Sequence, residues 1–397
     1  MSIAVLATNP TDSNTEGFLP AALRRGGQVL LLTDDPQAHR DAYAGTALKD
    51  RITITACDVR DHRAVLTVLD AHDVHAVFSG SDHLQMQAAL AADYLGLPGK
   101  DWRAAWATKN KAAMRSRLAR TGVDAVWSLR IDPEDELPPE PMPFPVVAKP
   151  QEGVASENVE LCADREQLIA HLGRARARRG AATILVEEFL PGELRTLETL
   201  GDGTRRHVLG GFRTRLGDPP NFVEEELTFE PEPDPIIVDQ VLAALDALGV
   251  GFGICHTEYV VHEGRARLIE VNYRAIGDQC DLLLADLLDI PLFDLALGVH
   301  CGDALPPELG RRVDGRARVT YLCASSGGTL EEAPDAADIV TDDVALTYRP
   351  MRERGVRAEF TGTNRDYLGV VRARGREQSR VDAAVAAFIA ENRWTIR

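Results

Sequence analysis

Glu258 and the run Glu270-Val271-Asn272-Tyr273-Arg274 place two carboxylates, an amide and a guanidinium close together in the chain. Apolar segments flank His262-Glu263-Gly264-Arg265 between them, which signals a hairpin. Register decides what chemistry follows. A three-residue loop, Glu263-Gly264-Arg265, sets His262 opposite Ala266 and Glu258 opposite Glu270, and opposed residues share a sheet face. Alternation then adds Asn272 and Arg274 to that face and sends Ile269 and Val271 into a core behind it. A two-residue loop puts the two acids on opposite faces. Opposed carboxylates repel unless a cation lies between them. Two carboxylates with an amide oxygen suit Mg²⁺, with Mn²⁺ as the alternative, and Arg274 can hold an anion that the ion also touches. A solvent-facing strand pair with incidental acids is the competing reading. Ile269 and Val271, bracketing the polar residues, favour a lined cleft.

The elements that must carry this hairpin are legible upstream. Ile3–Ala7, Gln28–Thr33 and His75–Phe78 read as strands, and Asp61–Ala71 and His83–Leu95 as helices. Strands alternating with helices imply βαβ units on a parallel sheet, whose ligands sit beyond the carboxyl ends of the strands, here near Thr8-Asn9 and Ser79–Asp82. No Gly-x-Gly-x-x-Gly follows the first strand, so a dinucleotide signature is missing. Residues 132–145 are too proline-rich for regular structure and mark a crossing between subdomains. Val146–Lys149 and Thr183–Val186 read as strands around the helix Arg165–Arg179, whose Arg174, Arg176, Arg178 and Arg179 form a solvated face. A second proline break, Glu230–Pro235, precedes a helix Ile236–Leu248, and the last stretch reads as a small α+β unit closing with the helix Gln378–Asn392.

Composition narrows the function classes. The 397 residues hold 44 Lys and Arg against 61 Asp and Glu, a formal net charge of −17. Such a surface repels phosphate backbones and anionic lipid, so neither nucleic acid nor a membrane is an expected partner. No apolar run approaches the ~20 residues that span a bilayer, and Met1–Ala7 reads as a buried strand rather than a leader, which points to the cytoplasm. The six cysteines are scattered without a Cys-x-x-Cys, which argues against both a disulfide framework and a zinc ribbon.

Glu258 followed by Glu270-Val271-Asn272-Tyr273-Arg274 resembles the metal-binding signature of the ATP-grasp superfamily, with Tyr273 where the family usually has Pro. Other segments resemble the family's motifs in its order. Thr108-Lys109-Asn110-Lys111 is similar to the first ATP-lysine motif, Lys111 matching better and Lys109 remaining an alternative. Phe144–Pro150 is similar to the strand bearing the second ATP lysine, Lys149. Gly153–Ser156 stands where the phosphate-covering loop belongs, and Leu185–Gly192 resembles the hinge that grips adenine. The resemblance spans about residues 1–330. It implies an ATP-grasp fold, mixed α/β and α+β, with a Rossmann-like domain over 1–100, an ATP-grasp domain over 101–310 whose lid covers about 130–190, and a C-terminal α+β subdomain over 311–397.

The resemblance also implies roles. Lys111 and Lys149 bind ATP phosphates, with Gly153 and Ser156 bringing backbone N–H groups against them. Glu188 and Leu190 contact adenine through the backbone, the Glu187 side chain lies near the exocyclic amine, and Glu193 takes the ribose, although the family's acid usually stands where this chain has Leu194. Glu258, Glu270 and Asn272 hold Mg²⁺, while Arg274 and Lys149 are catalytic. Arg213, Arg215, His256 and Asp278 are substrate candidates, an Arg pair suiting a polycarboxylate and Asp278 an ammonium. The implied reaction joins a small-molecule carboxylate to an amine through an acyl phosphate with release of ADP and phosphate, in the manner of natural-product and siderophore ligases, possible as a homodimer. The competing expectations are a biotin-carboxylase-like or purine-pathway ligase and a non-catalytic ATP-binding regulator.

Overall fold

The computed structural model describes residues 1–177, 182–309, 314–341 and 343–397; Arg178 and Arg179 of the expected arginine face lie outside the described residues. Ser2–Leu6, Gln28–Thr33, Ile52–Ala56 and Ala76–Ser79 form a parallel sheet in which Ser2–Leu6 lies between Gln28–Thr33 and Ala76–Ser79. The first strand is apolar on both faces because both are covered. Ile3 and Val5 face one core, with Phe18, Leu19 and Phe78, while Ala4 and Leu6 face another. The strand Ile52–Ala56 and the helix Pro36–Tyr43 add elements beyond those read from the sequence.

A four-stranded antiparallel sheet follows, ordered Ser128–Ile131, Ile184–Glu188, Val146–Pro150, Glu160–Cys162, with the helix Arg165–Ala177 packed on it through Leu168 and Leu172. The stretch 132–145 contains no helix or strand. Among the described residues the largest sheet has nine strands. Arg265–Asn272, Phe252–His262, Leu194–Asp202, Arg206–Leu216 and Glu224–Glu230 continue directly into Arg316–Cys323, Tyr367–Gly375, Val344–Pro350 and Ala337–Val340. The C-terminal strands therefore extend the sheet that carries the hairpin, through the pairing of Glu226, Leu227 and Thr228 with Thr320, Val319 and Arg318.

The proline break ends where a helix must begin. Pro235 occupies the first turn of Pro235–Leu248, the Asp234 carboxylate caps it by accepting the Ile236 N–H, and Gly249 closes it at φ 75°. Its Ile237, Val241, Leu245 and Leu248 pack with Leu268, Val271 and Tyr273 on the back of the hairpin. Among the described residues no helix is long and apolar enough to cross a membrane.

Candidate functional site

The hairpin reaches the expected pairing by an unexpected route. Its loop is the two residues Glu263 (φ 51°) and Gly264 (φ 73°), with His262 opposite Arg265 and Val261 opposite Ala266. This corrects the three-residue loop and the pairing of His262 with Ala266. A β-bulge between Glu258 and Tyr259 restores parity: Tyr259 faces Leu268, yet Glu258 faces Glu270 and His256 faces Asn272. The extra residue is Ile269. Val271 does enter the core behind the hairpin, but Ile269 lines the cavity, contrary to the alternation expected for it. The bulge re-aims one residue and keeps both acids on the working face.

Those acids lie in a cavity of about 490 Å³. Glu270 Oε1 is 2.8 Å from Lys111 Nζ, and Asn272 Nδ2 donates to Glu258 Oε1 at 3.2 Å. The bend that separates the two candidate lysines is Asn110, extended between the helices Trp102–Lys109 and Lys111–Thr121, its side chain accepting the Ala113 N–H. Lys111 consequently turns into the cavity, while Lys109 pairs with Asp82 and donates to the Gly153 carbonyl at 3.3 Å.

Lys149 comes from Val146–Pro150 and lines the same cavity, 2.5 Å from Glu187 Oε2. Glu187 is buried and also bridged by Arg115, whose Nε lies 2.6 Å from Oε1. Burial alone would raise the Glu187 carboxyl, but Arg115 and Lys149 overcome it and hold it down at about 2. The Glu187 carboxylate is thus committed to two cations. Glu188 is committed as well: its N–H donates to the Trp127 carbonyl and its carboxylate accepts the Trp127 N–H. Among the described residues the Leu190 N–H has no intramolecular partner, and it borders an apolar slot with Val147, Leu161, Leu216 and Val260.

The loop after Lys149 stores its strain away from glycine. Ala155, Ser156 and Asn158 have φ of 55°, 54° and 58°, whereas Gly153 is not among the positive-φ residues. Left-handed conformations in such side chains cost roughly 1 kcal/mol each. They are held by Ser156 Oγ donating to the Phe222 carbonyl at 2.8 Å and by Asn364 N–H donating to the Ala155 carbonyl at 3.2 Å.

His256 lines the cavity between two carboxylates, Nδ1 at 2.7 Å from Glu198 and Nε2 at 3.4 Å from Glu258. Burial alone would lower its pKa, but Glu198 and Glu258 raise it to about 10. Asp278 also lines the cavity. The remaining candidates lie elsewhere. Glu193 is exposed and paired with Arg195 at 3.0 Å, and it is absent from the lining. Arg213 and Arg215 are exposed, Arg215 pairing with Glu225 and Glu226. Phe212-Arg213-Thr214-Arg215-Leu216 alternates, so once Thr214 faces the cavity both arginines must face away.

Sequence reasoning also missed a buried support. Lys100 Nζ donates to Gln85 Oε1 at 2.6 Å and to the Tyr273 carbonyl, 4.4 Å from the Tyr273 ring centroid. The Tyr273 hydroxyl accepts the Gly251 and Phe252 N–H groups at 3.3 and 3.1 Å. Tyr273 therefore ties the end of the acidic strand to its neighbour. Tyr273→Phe is expected to cost about 1–2 kcal/mol by orphaning those donors, read as a lowered urea midpoint; an unchanged midpoint contradicts the tie.

Among the described residues no group of three or more His, Cys, Asp and Glu side chains is arranged to hold a metal ion. The candidate donor set is instead two carboxylates and an amide, Glu258, Glu270 and Asn272, gathered by register on one face. Hard oxygen donors of this kind fit Mg²⁺, which keeps several water or phosphate oxygens among its ligands.

No family model matches the chain. The uncharacterized protein y4rH of Sinorhizobium fredii is 28% identical over 421 residues, covering 100% of this chain and 84% of that protein. The carbamoyl phosphate synthase large chain of Clostridium beijerinckii is 26% identical over 207 residues, 50% of this chain but only 18% of that protein's length. The solved L-amino acid ligase of Bacillus licheniformis superposes with a TM-score of 0.82 at 19% identity, covering 100% of this chain and 98% of that one. With the bulged acidic hairpin, the two lysines and the strained loop around one cavity, this likeness means that the chain has the fold of the ATP-grasp ligases.

Proposed function

We propose that the protein is an ATP-dependent carboxylate–amine ligase of small-molecule biosynthesis, acting on amino acids or related polycarboxylates. The observation that carries this reading is the convergence of Glu258, Glu270, Asn272, Arg274, Lys111 and Lys149 on one cavity that continues into an apolar slot. Adenine fits the slot, with the Leu190 N–H as its donor. Lys111 and Lys149 counter the phosphate charge, and the loop 153–158 covers it. Glu258, Glu270 and Asn272 would hold Mg²⁺ or Mn²⁺, an ion that would neutralise phosphate charge.

The substrate carboxylate oxygen attacks the γ-phosphorus as the bond to the β-phosphate oxygen breaks, giving an acyl phosphate and ADP. The amine then attacks the acyl carbon, phosphate leaves, and a proton is lost to give the amide. Arg274 borders this region and stabilises the oxyanion formed at the acyl carbon. The test supplies MgATP with the twenty common L-amino acids, citrate or succinate as carboxylates, and hydroxylamine as trap. ADP, phosphate and a hydroxamate are expected, with ¹⁸O passing from labelled carboxylate to phosphate. AMP with pyrophosphate overturns the acyl phosphate. Absence of nucleotide turnover with every carboxylate overturns the ligase reading.

A further inference from the structure

Two carboxyl groups of the same cavity, Glu224 and Asp278, have no part in the metal set or the nucleotide slot. Glu224 begins the strand Glu224–Glu230 and faces Leu216 across the sheet, so it shares a face with Thr214 two residues earlier. Asp278 enters from the loop after Arg274, where it holds φ 51°. Both carboxylates line the cavity, and among the described residues neither makes a hydrogen bond or an ion pair through its side chain. Most other carboxylates bordering this region are engaged: Glu187 by Arg115 and Lys149, Glu270 by Lys111, Glu258 by Asn272.

Two independent features point to a ligand there. Thr214, 4% exposed and in the cavity lining, has a buried Oγ1 with no hydrogen-bond partner. A buried hydroxyl left unsatisfied is uncommon unless something else completes it. Tyr321 contributes an aromatic wall, stacked on Tyr367 at a centroid distance of 4.2 Å, and Tyr367 in turn donates its hydroxyl to the Glu224 carbonyl at 2.8 Å. Unpaired carboxylates, a free hydroxyl acceptor and an aromatic face are the donor set of a cation, and their size and softness suit an organic ammonium.

We propose that Glu224, Asp278, Thr214 and Tyr321 form the subsite for the second substrate, which binds there as a protonated primary amine rather than as an anionic acceptor such as bicarbonate. This rests on the ligase reading. It separates the protein from acceptor sites built for anions, because the carboxyl groups of Glu224 and Asp278 offer an anion no positive charge. Burial in the cavity pushes the Glu224 carboxyl up to about 8, a cost that a bound ammonium would offset.

The test uses full-length protein with MgATP, the carboxylate that gives most hydroxamate, and L-alanine, ethanolamine or 1,4-diaminobutane as the amine against neutral hydroxylamine. Glu224→Gln is expected to raise the amine KM at least tenfold, to move the KM for ATP less than twofold, and to raise the ratio of hydroxylamine to amine turnover at least tenfold. Asp278→Asn, at the one exposed residue of the largely buried stretch 275–280, is expected to shift the same ratio in the same direction and guards against a folding defect in the first variant. An unchanged ratio in both variants overturns the subsite, as does a Glu224→Gln effect confined to Mg²⁺ dependence. Hydroxamate formation by the wild type with none of the three amines accepted also overturns it. A wild type that forms neither hydroxamate nor ADP fails at the earlier step and overturns the ligase reading itself.

Discussion

Glu270→Gln is expected to lower Mg²⁺-dependent ADP release by about 10²-fold or more, while the protein stays folded. Partners that merely orient a metal ligand cost about 10–100-fold when removed, so a direct ligand sets the larger loss. In free energy this is about 2.7 kcal/mol of transition-state stabilisation. The substitution keeps the shape and removes one charge. Two opposing effects then bear on stability: the Glu258–Glu270 repulsion across the hairpin disappears, and Lys111, 2.8 Å from Glu270 Oε1, loses its partner. In the native protein the Glu270 carboxylate raises the Lys111 pKa against the burial that would lower it. The amide introduced by the substitution still offers Lys111 an acceptor oxygen, so the melting temperature should move by a few degrees at most. The measurement is the ADP release rate across a Mg²⁺ titration, with chelation by EDTA as reference. Turnover equal to wild type at every Mg²⁺ concentration would show that Glu270 is not a metal ligand.

The same hairpin shows why some of the site was readable and some was not. Glu258 and Glu270 were legible because period-2 alternation and a Gly-containing turn are local properties of the chain. The bulge was not. It adds one residue on one strand, and no residue type marks Ile269 as the extra one. Expected loop and actual loop differ by one residue and the bulge cancels that difference, so the facing acids came out correctly from an incorrect turn. Arg213 and Arg215 could have been excluded by the alternation around Thr214, had the strand Arg206–Leu216 been recognised.

Other parts had no local signal at all. The nine-stranded sheet joins its C-terminal strands through Glu226 opposite Thr320, a pairing set by no turn and spanning a long stretch of chain. Glu198, Glu224 and Thr214 read as ordinary strand residues until the strands are laid side by side. Lys100 and Arg115 are buried cations whose partners are remote in sequence: Tyr273 for the first, Glu187 for the second. Amphipathic spacing assigns such residues to a solvated face, because burial of a charge is visible only once its partner is placed.

Arg115→Met is expected to destabilise the protein by about 3–5 kcal/mol, the cost of breaking a buried ion pair from one side. Arg115 and Glu187 are each 3% exposed, with Nε to Oε1 at 2.6 Å, and Asp124 stands 3.9 Å from the same guanidinium. Asp124 keeps Arg267 at 2.7 Å, so the loss falls mainly on Glu187. A double replacement, Arg115→Met with Glu187→Gln, should be less destabilising than Arg115→Met alone, since it leaves no carboxylate stranded and the amide still offers Lys149 an acceptor oxygen. The acid limb of stability gives an independent reading. The Glu187 carboxyl is held at about 2 against a usual 4.5, so its contribution is full above about pH 4.5 and is lost as pH falls towards 2. At 1.36 kcal/mol per pH unit that contribution is about 3 kcal/mol. Removing Arg115 takes away the largest cationic influence on Glu187, so the acid-unfolding midpoint should move to higher pH. Denaturant melts at pH 7 and an acid titration followed by circular dichroism read both effects. A single variant as stable as wild type, with an unmoved acid midpoint, would mean that Lys149 alone compensates Glu187. Lys149 would then be held by Glu187 rather than free to meet phosphate, which leaves a nucleotide to Lys111 and Arg274.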